Sequence, residues 1–402
     1  MTEDSTPVRP TRIVALDFLR GAALLGILVA NLPGYALPVA AYFSPAAAGG
    51  TAPADIGVWA LTFVLVEGKM RGLFATLFGA SMLLVVQRAD ARGDNGAALH
   101  LRRMTALFVM GCAHLYLVWS GDILALYAMV GAVALLFAGA PMRLLLFAAA
   151  AALLVATING LAIASLGGNV LEAVFGRSTP AALAREVAAL RGSWATNVAW
   201  RWHEEAGPLT AFLANGPETL AYMLLGMAGL RSGFLTGAWP RRRYAIVAAL
   251  ALGLTLPVYA MLAWRTITHD FAAGAVVLAS FVAAPLLRPL AVAGDAAVLL
   301  LALGTGPLSG RIAAAGRVAL SNYLACSIAF TALFYGWGGG QFARWDRSSL
   351  YLLVVPGWAA MLLWPRWWLA RFAHGPAEWL WRAAIRGHLA PLHRTSCERD
   401  AI

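Results

Sequence analysis

Apolar runs about as long as a lipid bilayer is thick are the feature of this sequence that most restricts its fold. A membrane-spanning helix needs ~20 consecutive, mostly apolar residues. Runs of about that length or longer lie at residues 13–32, 56–87, 102–119, 121–138, 143–164, 209–230, 244–263, 272–303, 315–335 and 350–370. Hydrophobic residues make up 61% of the 402-residue chain and charged residues only 12%, far from the balance of a soluble domain. The sequence therefore predicts an all-α, polytopic integral membrane helical bundle with about ten crossings.

The basic residues lie mostly between these runs and predict the topology. Lys and Arg together number 30, against 19 Asp and Glu. In a membrane protein this excess marks cytoplasmic loops rather than a surface for nucleic acid. If the N-terminus is cytoplasmic, the basic stretches 88–103, 231–243 and 371–402 fall on one side, provided that 56–87 and 272–303 each cross once. This solution has both termini in the cytoplasm, and a second crossing in either run gives eleven or twelve crossings.

The longest polar stretch divides the chain. Residues 165–208 combine charges of both signs with Trp200 and Trp202, which indicates amphipathic helices at the membrane surface. On the predicted topology this stretch is extracytoplasmic. We therefore predict three parts: an N-terminal transmembrane half (1–164), an extracytoplasmic loop (165–208) and a C-terminal transmembrane half (209–402).

Polar side chains inside the apolar runs are candidate functional residues, because a charge in the hydrocarbon core is costly. In the first run Asp17, Arg20 and Asn31 share one helical face, within a ~60° arc at 100° per residue. We expect that face to point into the bundle or a wet cavity. Two simpler interpretations stay open: Asp17 and Arg20 neutralise each other near the cytoplasmic end, and Asn31 serves packing. The charges also indicate a retained first helix rather than a signal peptide.

His114 and Asp122 are the candidate catalytic residues. They lie on either side of the short turn Trp119-Ser120-Gly121, so two antiparallel helices joined there would bring imidazole and carboxylate together. A carboxylate that orients a histidine fixes its tautomer and stabilises its charged form, which a general base requires. In the alternative interpretation, Asp122 caps the following helix and His114 is a core residue.

Two further groups of polar residues border apolar runs. Lys69 and Arg71 flank a break in the run 56–87 and are suited to bind phosphate or carboxylate, or to extend toward the membrane interface. Arg317 and Ser321 are four residues apart and are predicted to share the face of one helix. Tryptophans beside arginines in the tail are typical of an interface anchor. Nucleotide-binding and hydrolase motifs are absent, and no spacing of cysteines or histidines indicates a metal site.

Several motifs, in chain order over nearly the whole length, resemble the YeiB-like family of bacterial membrane proteins. In the N-terminal half they are Arg12, LDFLRG at 16–21, GKMR at 68–71, LF at 73–74, LFG at 77–79, His114, and GDIL at 121–124 with Tyr127. In the C-terminal half, the segments that resemble the domain of unknown function 418 are GRVALSNYL at 316–324, FYG at 334–336 and FAHGPAEWLWR at 372–382. The resemblance implies a multi-pass protein of the bacterial inner (plasma) membrane.

The first half of that family is similar to heparan-α-glucosaminide N-acetyltransferase and, more loosely, to bacterial membrane O-acyltransferases. This similarity implies transfer of an acyl group from a cytoplasmic donor, acyl-CoA and most simply acetyl-CoA, to a small-molecule, glycan or lipid acceptor at or across the membrane. The chain departs from both patterns. Asn31 stands where the O-acyltransferases have a functional histidine, and residues 32–99 contain no histidine. An acyltransferase with this sequence needs another base, and His114 with Asp122 is the candidate.

Two hypotheses follow. In the first, the protein is a transmembrane acyltransferase with His114 and Asp122 as catalytic residues. Its substrate-binding residues would be Asp17, Arg20, Asn31, Lys69, Arg71, Tyr127, Arg317, Ser321, Asn322 and Tyr323. In the second, the protein is a transporter or exporter of a small metabolite or lipid-like molecule, because inward polar faces and broken helices serve transport equally well. The lipid bilayer is the expected partner, nucleic acid is not, and the sequence leaves the oligomeric state open.

Overall fold

A computed structural model describes residues 13–175, 179–389 and 391–392, so the motif residue Arg12 lies outside the described residues. Within these ranges the chain forms helices and short connections, with no β-strand. The α-helices are α1 (Val14–Ala36), α2 (Pro53–Leu65), α3 (Lys69–Asp90), α4 (Gly96–Leu117), α5 (Leu124–Ala134), α6 (Met142–Ala164), α7 (Gly168–Phe175), α8 (Pro180–Leu190), α9 (Trp194–His203), α10 (Pro208–Arg231), α11 (Arg241–Thr268), α12 (Ala273–Val277), α13 (Ala284–Ala302), α14 (Pro307–Arg317), α15 (Ala319–Phe334), α16 (Arg347–Leu350), α17 (Val354–Arg371) and α18 (Pro376–Arg386). Short 3₁₀ turns at Val39–Tyr42, Leu135–Phe137 and Tyr351–Leu353 and a π-helical segment at Leu278–Ala283 complete the helical structure.

The predicted class, an all-α polytopic membrane bundle, is confirmed. Six described segments are long and apolar enough to cross a membrane: Val14–Ala36, Pro53–Asp90, Met142–Ala164, Arg241–Thr268, Ala273–Ala302 and Arg347–Arg371. The helices α14 and α15, bent by 81° relative to each other, add a seventh if they form one span. Whether Pro53–Asp90 and Ala273–Ala302 each cross once, as the predicted topology requires, stays a prediction. The count of about ten crossings and the side of each terminus stay predictions.

Helices α1 and α10 organise the bundle. Helix α1 packs against α3, α14 and α15, and helix α10 packs against α3, α5 and α6. Helix α3 lies between them and contacts both. Buried apolar side chains form one large cluster around α3, α6 and α10 and another around α1, α4 and α15. Asp17 of α1, Thr76 of α3 and Tyr127 of α5 are among the polar side chains buried within this packed interior.

Glycines let α1 and α14 touch directly. A methyl group at Gly21 would overlap the carbonyl oxygen of Ile312, and one at Gly316 would overlap the carbonyl oxygen of Asp17. Membrane helices commonly use small residues for such close crossings, because packing rather than hydrophobic burial drives their association in lipid. The contact brings the C-terminal end of α14 against the polar face of α1.

The helix predicted to carry both Arg317 and Ser321 is in fact two helices. Helix α14 ends at Arg317, helix α15 begins at Ala319, and their axes differ by 81°. Val318 between them leaves helical geometry, with φ −115° and ψ 38°. The predicted shared face is therefore wrong, because four-residue spacing aligns side chains only within a continuous helix.

The polar stretch 165–208 contains α7, α8 and α9 and packs onto one end of the bundle. Arg201 of α9 is almost fully buried and donates a hydrogen bond of 2.8 Å to the carbonyl oxygen of Tyr116, at the end of α4. The Glu186 carboxylate of α8 accepts a 2.8 Å hydrogen bond from the amide of Val39, just after α1. These contacts attach the stretch to the ends of α1 and α4.

Candidate functional site

Asp17 and Arg20 of α1 form an ion pair at a cavity wall. The distance between Arg20 Nη1 and Asp17 Oδ1 is 3.1 Å, and Arg20 Nη2 donates a 2.6 Å hydrogen bond to Ser81 Oγ of α3. The pair thus has the geometry of the self-neutralising interpretation. It also lines the larger of the two cavities described below, so neutralisation and a role at the cavity coexist.

The larger cavity, which we call the arginine-lined cavity, has a volume of about 500 Å³. Its charged lining residues are Asp17, Arg20, Arg88, Arg103, Arg317, Glu378 and Arg382. Arg88 lies near the C-terminal end of α3, whereas Phe74 and Phe78 of the same helix line the cavity about 15–20 Å deeper at 1.5 Å per residue. Five arginines against two carboxylates make the cavity suited to a molecule with an anionic part, and the aromatic and aliphatic lining suits an apolar part.

Helix α18 closes one side of the arginine-lined cavity. The Arg103 guanidinium lies over the Trp381 ring, with its Cζ 4.3 Å from the ring centroid. The indole Nε1 of Trp381 donates a 3.2 Å hydrogen bond to the Arg103 carbonyl oxygen. The Glu378 carboxylate accepts hydrogen bonds of 2.8 Å and 3.2 Å from the amides of Leu320 and Ser321, the first turn of α15. Ser321 Oγ donates to Glu378 at 2.5 Å and accepts from the Ala377 amide at 3.0 Å. Each of the two helices therefore caps the N-terminus of the other.

His114 and Asp122 meet as their spacing predicts. His114 Nδ1 is 2.9 Å from Asp122 Oδ1, and Asp122 Oδ2 accepts a 2.8 Å hydrogen bond from the Ala125 amide in the first turn of α5. One carboxylate thus orients the imidazole and caps α5, so both interpretations of Asp122 hold together. His114 is 3% exposed, and its Nε2 has no hydrogen-bond partner in the described ranges. Whether the pair is catalytic stays a prediction.

Tyr323 of α15 separates His114 from the arginine-lined cavity. Its ring centroid is 5.2 Å from that of His114, and Tyr323 itself lines the cavity. Its hydroxyl donates to the Gly121 carbonyl at 3.2 Å and accepts from the Ile123 amide at 3.3 Å. His114 and Asp122 do not line either cavity. They lie one side chain behind the wall that Tyr323 and Ile123 form.

The second cavity, which we call the polar cavity, has a volume of about 230 Å³. A buried ion cluster forms one wall: Glu218 of α10 accepts from Arg71 Nη2 at 3.0 Å and from Arg288 Nη1 at 2.5 Å. The Tyr222 hydroxyl donates to the same carboxylate at 3.2 Å. Arg288 and Glu218 are 5% and 6% exposed. The cluster connects α3, α10 and α13 through charges that the interior must keep paired.

Sequence reasoning missed Glu218, Arg288 and Glu67, although the signal was present. Each is a charged residue within an apolar run, at 209–230, 272–303 and 56–87 respectively. The rule that singled out Asp17 and Arg20 applies to them equally. All three line the polar cavity.

The remaining predicted binding residues divide between the cavities and the packed interior. Asn31 and Arg71 line the polar cavity, and Tyr127 lines the arginine-lined cavity while its hydroxyl donates to the Arg71 carbonyl at 3.0 Å. Lys69 lines neither: it is fully buried, donates to the Val64 carbonyl and lies 4.1 Å from the Tyr259 ring centroid. Asn322 is also outside both cavities, where its Oδ1 accepts a 2.7 Å hydrogen bond from the Trp364 indole of α17.

The two cavities lie in series along the bundle and adjoin at Ile123, the residue common to their described linings. On α1 the arginine-lined cavity extends to Arg20 and the polar cavity begins at Ile27, about 10 Å farther along the helix. Helix α3, which runs the opposite way, has the reverse order, with Arg71 in the polar cavity and Arg88 in the other. Because Ile123 follows Asp122 directly, the His114–Asp122 pair lies at the partition between the cavities. The described residues include no cluster of three metal-ligating side chains.

These features define a class: a polytopic α-helical membrane protein with a basic cavity and a polar cavity in series. The chain is 34% identical over 394 residues to the uncharacterized protein YeiB of Escherichia coli (strain K12), covering 92% of this chain and 95% of YeiB. It is 28% identical over 389 residues to the uncharacterized protein YxaH of Bacillus subtilis (strain 168), covering 93% and 94%. Residues 230–388 match the family described as protein of unknown function (DUF418). The chain therefore belongs to the YeiB-like family, as its motifs predict.

Proposed function

We propose that the protein is a membrane-embedded acyltransferase that takes an acyl group from a cytoplasmic, acyl-CoA-like donor. The observation that supports this most is the arginine-lined cavity, whose inner wall of Tyr323 and Ile123 is backed by the His114–Asp122 pair. A phosphate-bearing donor with a thioester arm matches a basic cavity that becomes apolar with depth. Arginines bind phosphate through planar, two-point hydrogen bonds, so Arg103, Arg317 and Arg382 are the proposed headgroup contacts.

In the proposed reaction His114 is the general base. His114 Nδ1–H donates a hydrogen bond to the Asp122 carboxylate, which only accepts hydrogen bonds when ionised, and Nε2 is left with its lone pair. The acceptor's hydroxyl or amine gives its proton to Nε2 as its oxygen or nitrogen attacks the thioester carbonyl carbon. The carbon–sulfur bond then breaks, and the imidazolium returns the proton to the leaving thiolate. Tyr323 has to rotate for Nε2 to reach the cavity, since its ring covers the imidazole on that side.

The donor's approach agrees with the predicted topology. Arg88 and Arg103 belong to the stretch 88–103, which the charge distribution assigns to the cytoplasm. The arginine-lined cavity then opens toward the cytoplasm and leads inward to the partition, so a thioester arm inserted from that side would reach Tyr323 and His114. Lys69, which was a candidate for the donor's phosphates, has no part in this proposal because it lies outside the cavity.

The test uses the full-length protein purified in detergent and radiolabelled acetyl-CoA. We expect bound acetyl-CoA and slow release of acetate to water, with His114→Ala abolishing release but not binding. His203→Ala is the matched control, because His203 is exposed on α9 and far along the chain from the cavity. Arg317→Gln should weaken binding about tenfold or more, since it removes charge-assisted hydrogen bonds, whereas the exposed Arg143→Gln should not. Unchanged acetate release in a folded His114→Ala protein would show that another group is the base.

A second candidate function, transport of a small metabolite or lipid-like molecule, is favoured by one observation. Two cavities in series share a single described residue, Ile123, and α14 and α15 form a bent pair. Discontinuous helices beside a central site are typical of transporters. Proteoliposomes distinguish the two functions: solute uptake or efflux in the absence of any acyl donor, retained in His114→Ala, supports transport and contradicts the acyltransferase.

A further inference from the structure

We propose that the polar cavity is a second ligand site, and that its ligand is a small molecule without net charge that carries several hydroxyl groups. We further propose that this ligand is the acyl acceptor, and this part of the inference rests on the proposed function. The cavity has a volume of about 230 Å³, below the ~300–1,000 Å³ of sites for drug-sized ligands. A lipid or an extended glycan therefore does not fit within it.

The charges around the polar cavity exclude ions. Two arginines (Arg71 and Arg288) and two glutamates (Glu67 and Glu218) line it, so the formal charges cancel. Glu218 already uses both of its oxygens on the two guanidinium groups. A ligand with net charge would enter a buried, balanced site and leave one charge uncompensated, which is costly. The site therefore selects a net-neutral ligand.

The polar groups of the lining other than the Glu218 carboxylate match a ligand that both donates and accepts hydrogen bonds. The Glu67 carboxylate, for which the described residues provide no hydrogen bond, only accepts when ionised, and the half-buried Arg71 only donates. Asn31 and Asn215 bring amide donors and acceptors, and Ser280 brings a hydroxyl. Hydroxyl groups match this mixture because each donates one hydrogen bond and accepts two.

The position of the cavity fits an acceptor. The polar cavity lies on the far side of Ile123 from the arginine-lined cavity. The Ile123 amide donates a hydrogen bond to the hydroxyl of Tyr323, the side chain that covers His114. A hydroxyl that crosses the partition at Ile123 would arrive beside both the imidazole and the end of the donor cavity. In this arrangement the two substrates reach the base from opposite sides of one residue.

The experiment compares how fast a single cysteine in each cavity reacts with neutral, cationic and anionic thiol reagents. In a background in which Cys112, Cys326 and Cys397 are replaced by serine, a single cysteine is introduced as Ser280→Cys in the polar cavity or Ser81→Cys in the arginine-lined cavity. Each protein reacts in detergent with three methanethiosulfonates: hydroxyethyl (neutral), trimethylammonioethyl (cationic) and sulfonatoethyl (anionic). Rates are divided by those of the same reagents with free 2-mercaptoethanol. The substitutions match in chemistry, so a difference between them reports the cavities.

We expect Ser280→Cys to prefer the neutral hydroxyethyl reagent by about tenfold or more over both charged ones, because a buried net charge is strongly disfavoured. Ser81→Cys should instead favour the anionic reagent. Adding Glu67→Gln removes one negative charge from the polar cavity and should move the preference of Ser280→Cys toward the anionic reagent. Equal or faster reaction of Ser280→Cys with a charged reagent, no reaction with any of the three while Ser81→Cys reacts, or no shift with Glu67→Gln would each overturn the proposal.

The outcome is independent of acyl transfer. If the reagents show the expected selectivity but the protein neither binds nor cleaves acetyl-CoA, the polar cavity is a ligand site and the proposed acyltransferase is wrong. If acetyl-CoA is bound and cleaved but the selectivity is absent, the donor site stands and the acceptor binds elsewhere.

Discussion

Removing the charge of Glu218 should destabilise the protein more than removing any exposed carboxylate. Glu218→Gln keeps the shape of the side chain but removes the carboxylate that pairs directly with the guanidinium groups of Arg71 and Arg288. Arg288 is 5% exposed, and its other hydrogen bond, to the Ser280 carbonyl, is a long 3.4 Å. Breaking a buried ion pair by removing one partner costs ~3–5 kcal/mol. With an unfolding entropy of ~2.1 cal/mol/K per residue over 402 residues, this loss lowers the midpoint of thermal unfolding by about 4–6 °C.

The assay is the fraction of monodisperse protein that survives heating in detergent, read by size-exclusion chromatography. Glu204→Gln is the matched control, because Glu204 is exposed at the end of α9, and it should leave the midpoint unchanged. The double variant Glu218→Leu/Arg288→Met removes the more buried of the two ion pairs of Glu218 and should recover the part of the loss that comes from Arg288, since apolar groups of similar size commonly replace buried ion pairs without cost. A single variant within about 1 °C of the parent protein, or a double variant less stable than the single one, would refute the reasoning.

Two further predictions concern the polar stretch 165–208 and the crossing of α1 and α14. Burial, with a contribution from nearby Glu205, raises the pKa of Glu186 from 4.5 to about 7, against the opposing hydrogen bond from Val39. Between these two pH values the folded state therefore holds a proton that the unfolded state releases, so the attachment of α8 weakens as the pH rises from about 4.5 to 7. Proteolysis within 165–208 should be faster at pH 8 than at pH 5.5. The substitution Glu186→Gln should remove this difference. Gly316→Ala inserts a methyl group against the Asp17 carbonyl, and such overpacking costs ~1–3 kcal/mol, which should lower the unfolding midpoint and weaken acetyl-CoA binding.

The controls for these two predictions lie close to the tested positions. The protease itself changes activity with pH, so cleavage within 165–208 is compared with cleavage of an unfolded substrate at each pH. If cleavage is equally pH-dependent in Glu186→Gln, the carboxyl of Glu186 is not the cause. Gly310→Ala lies on the same helix as Gly316 with open space around its Cβ position, so it should be neutral. Equal effects of the two alanine substitutions would contradict the close backbone contact.

The parts of the structure that follow from local sequence were predictable. The length of the apolar runs fixes the helical membrane class, and the polar face of α1 follows from helical periodicity. The meeting of His114 and Asp122 also follows, because a short turn leaves two antiparallel helices little freedom. The two interpretations of Asp122, as the partner of His114 and as the cap of α5, are both correct, because one carboxylate oxygen contacts His114 and the other accepts from the Ala125 amide.

The features that the sequence did not predict depend on packing between segments that are distant along the chain. Lys69 lies beside the ring of Tyr259, which is distant along the chain, so no local pattern indicated that it is buried away from both cavities. The partners of Glu218, Arg71 and Arg288, likewise come from other helices. The bend at Val318 interrupts a run whose composition is that of a continuous helix. In each case the contact that determines the outcome joins segments whose pairing depends on the whole bundle.

The reciprocal capping of α15 and α18 couples the C-terminal helix to the cavity it borders. If α18 moves away, Glu378 no longer accepts from the amides of Leu320 and Ser321, and the cation–π contact between Trp381 and Arg103 is lost as well. Any ligand that contacts α18 in the arginine-lined cavity stabilises its docked position by the same free energy with which docking strengthens the ligand's binding. Docking of α18 and occupancy of the arginine-lined cavity are therefore thermodynamically coupled, so a change that undocks this helix also weakens the binding of the ligand.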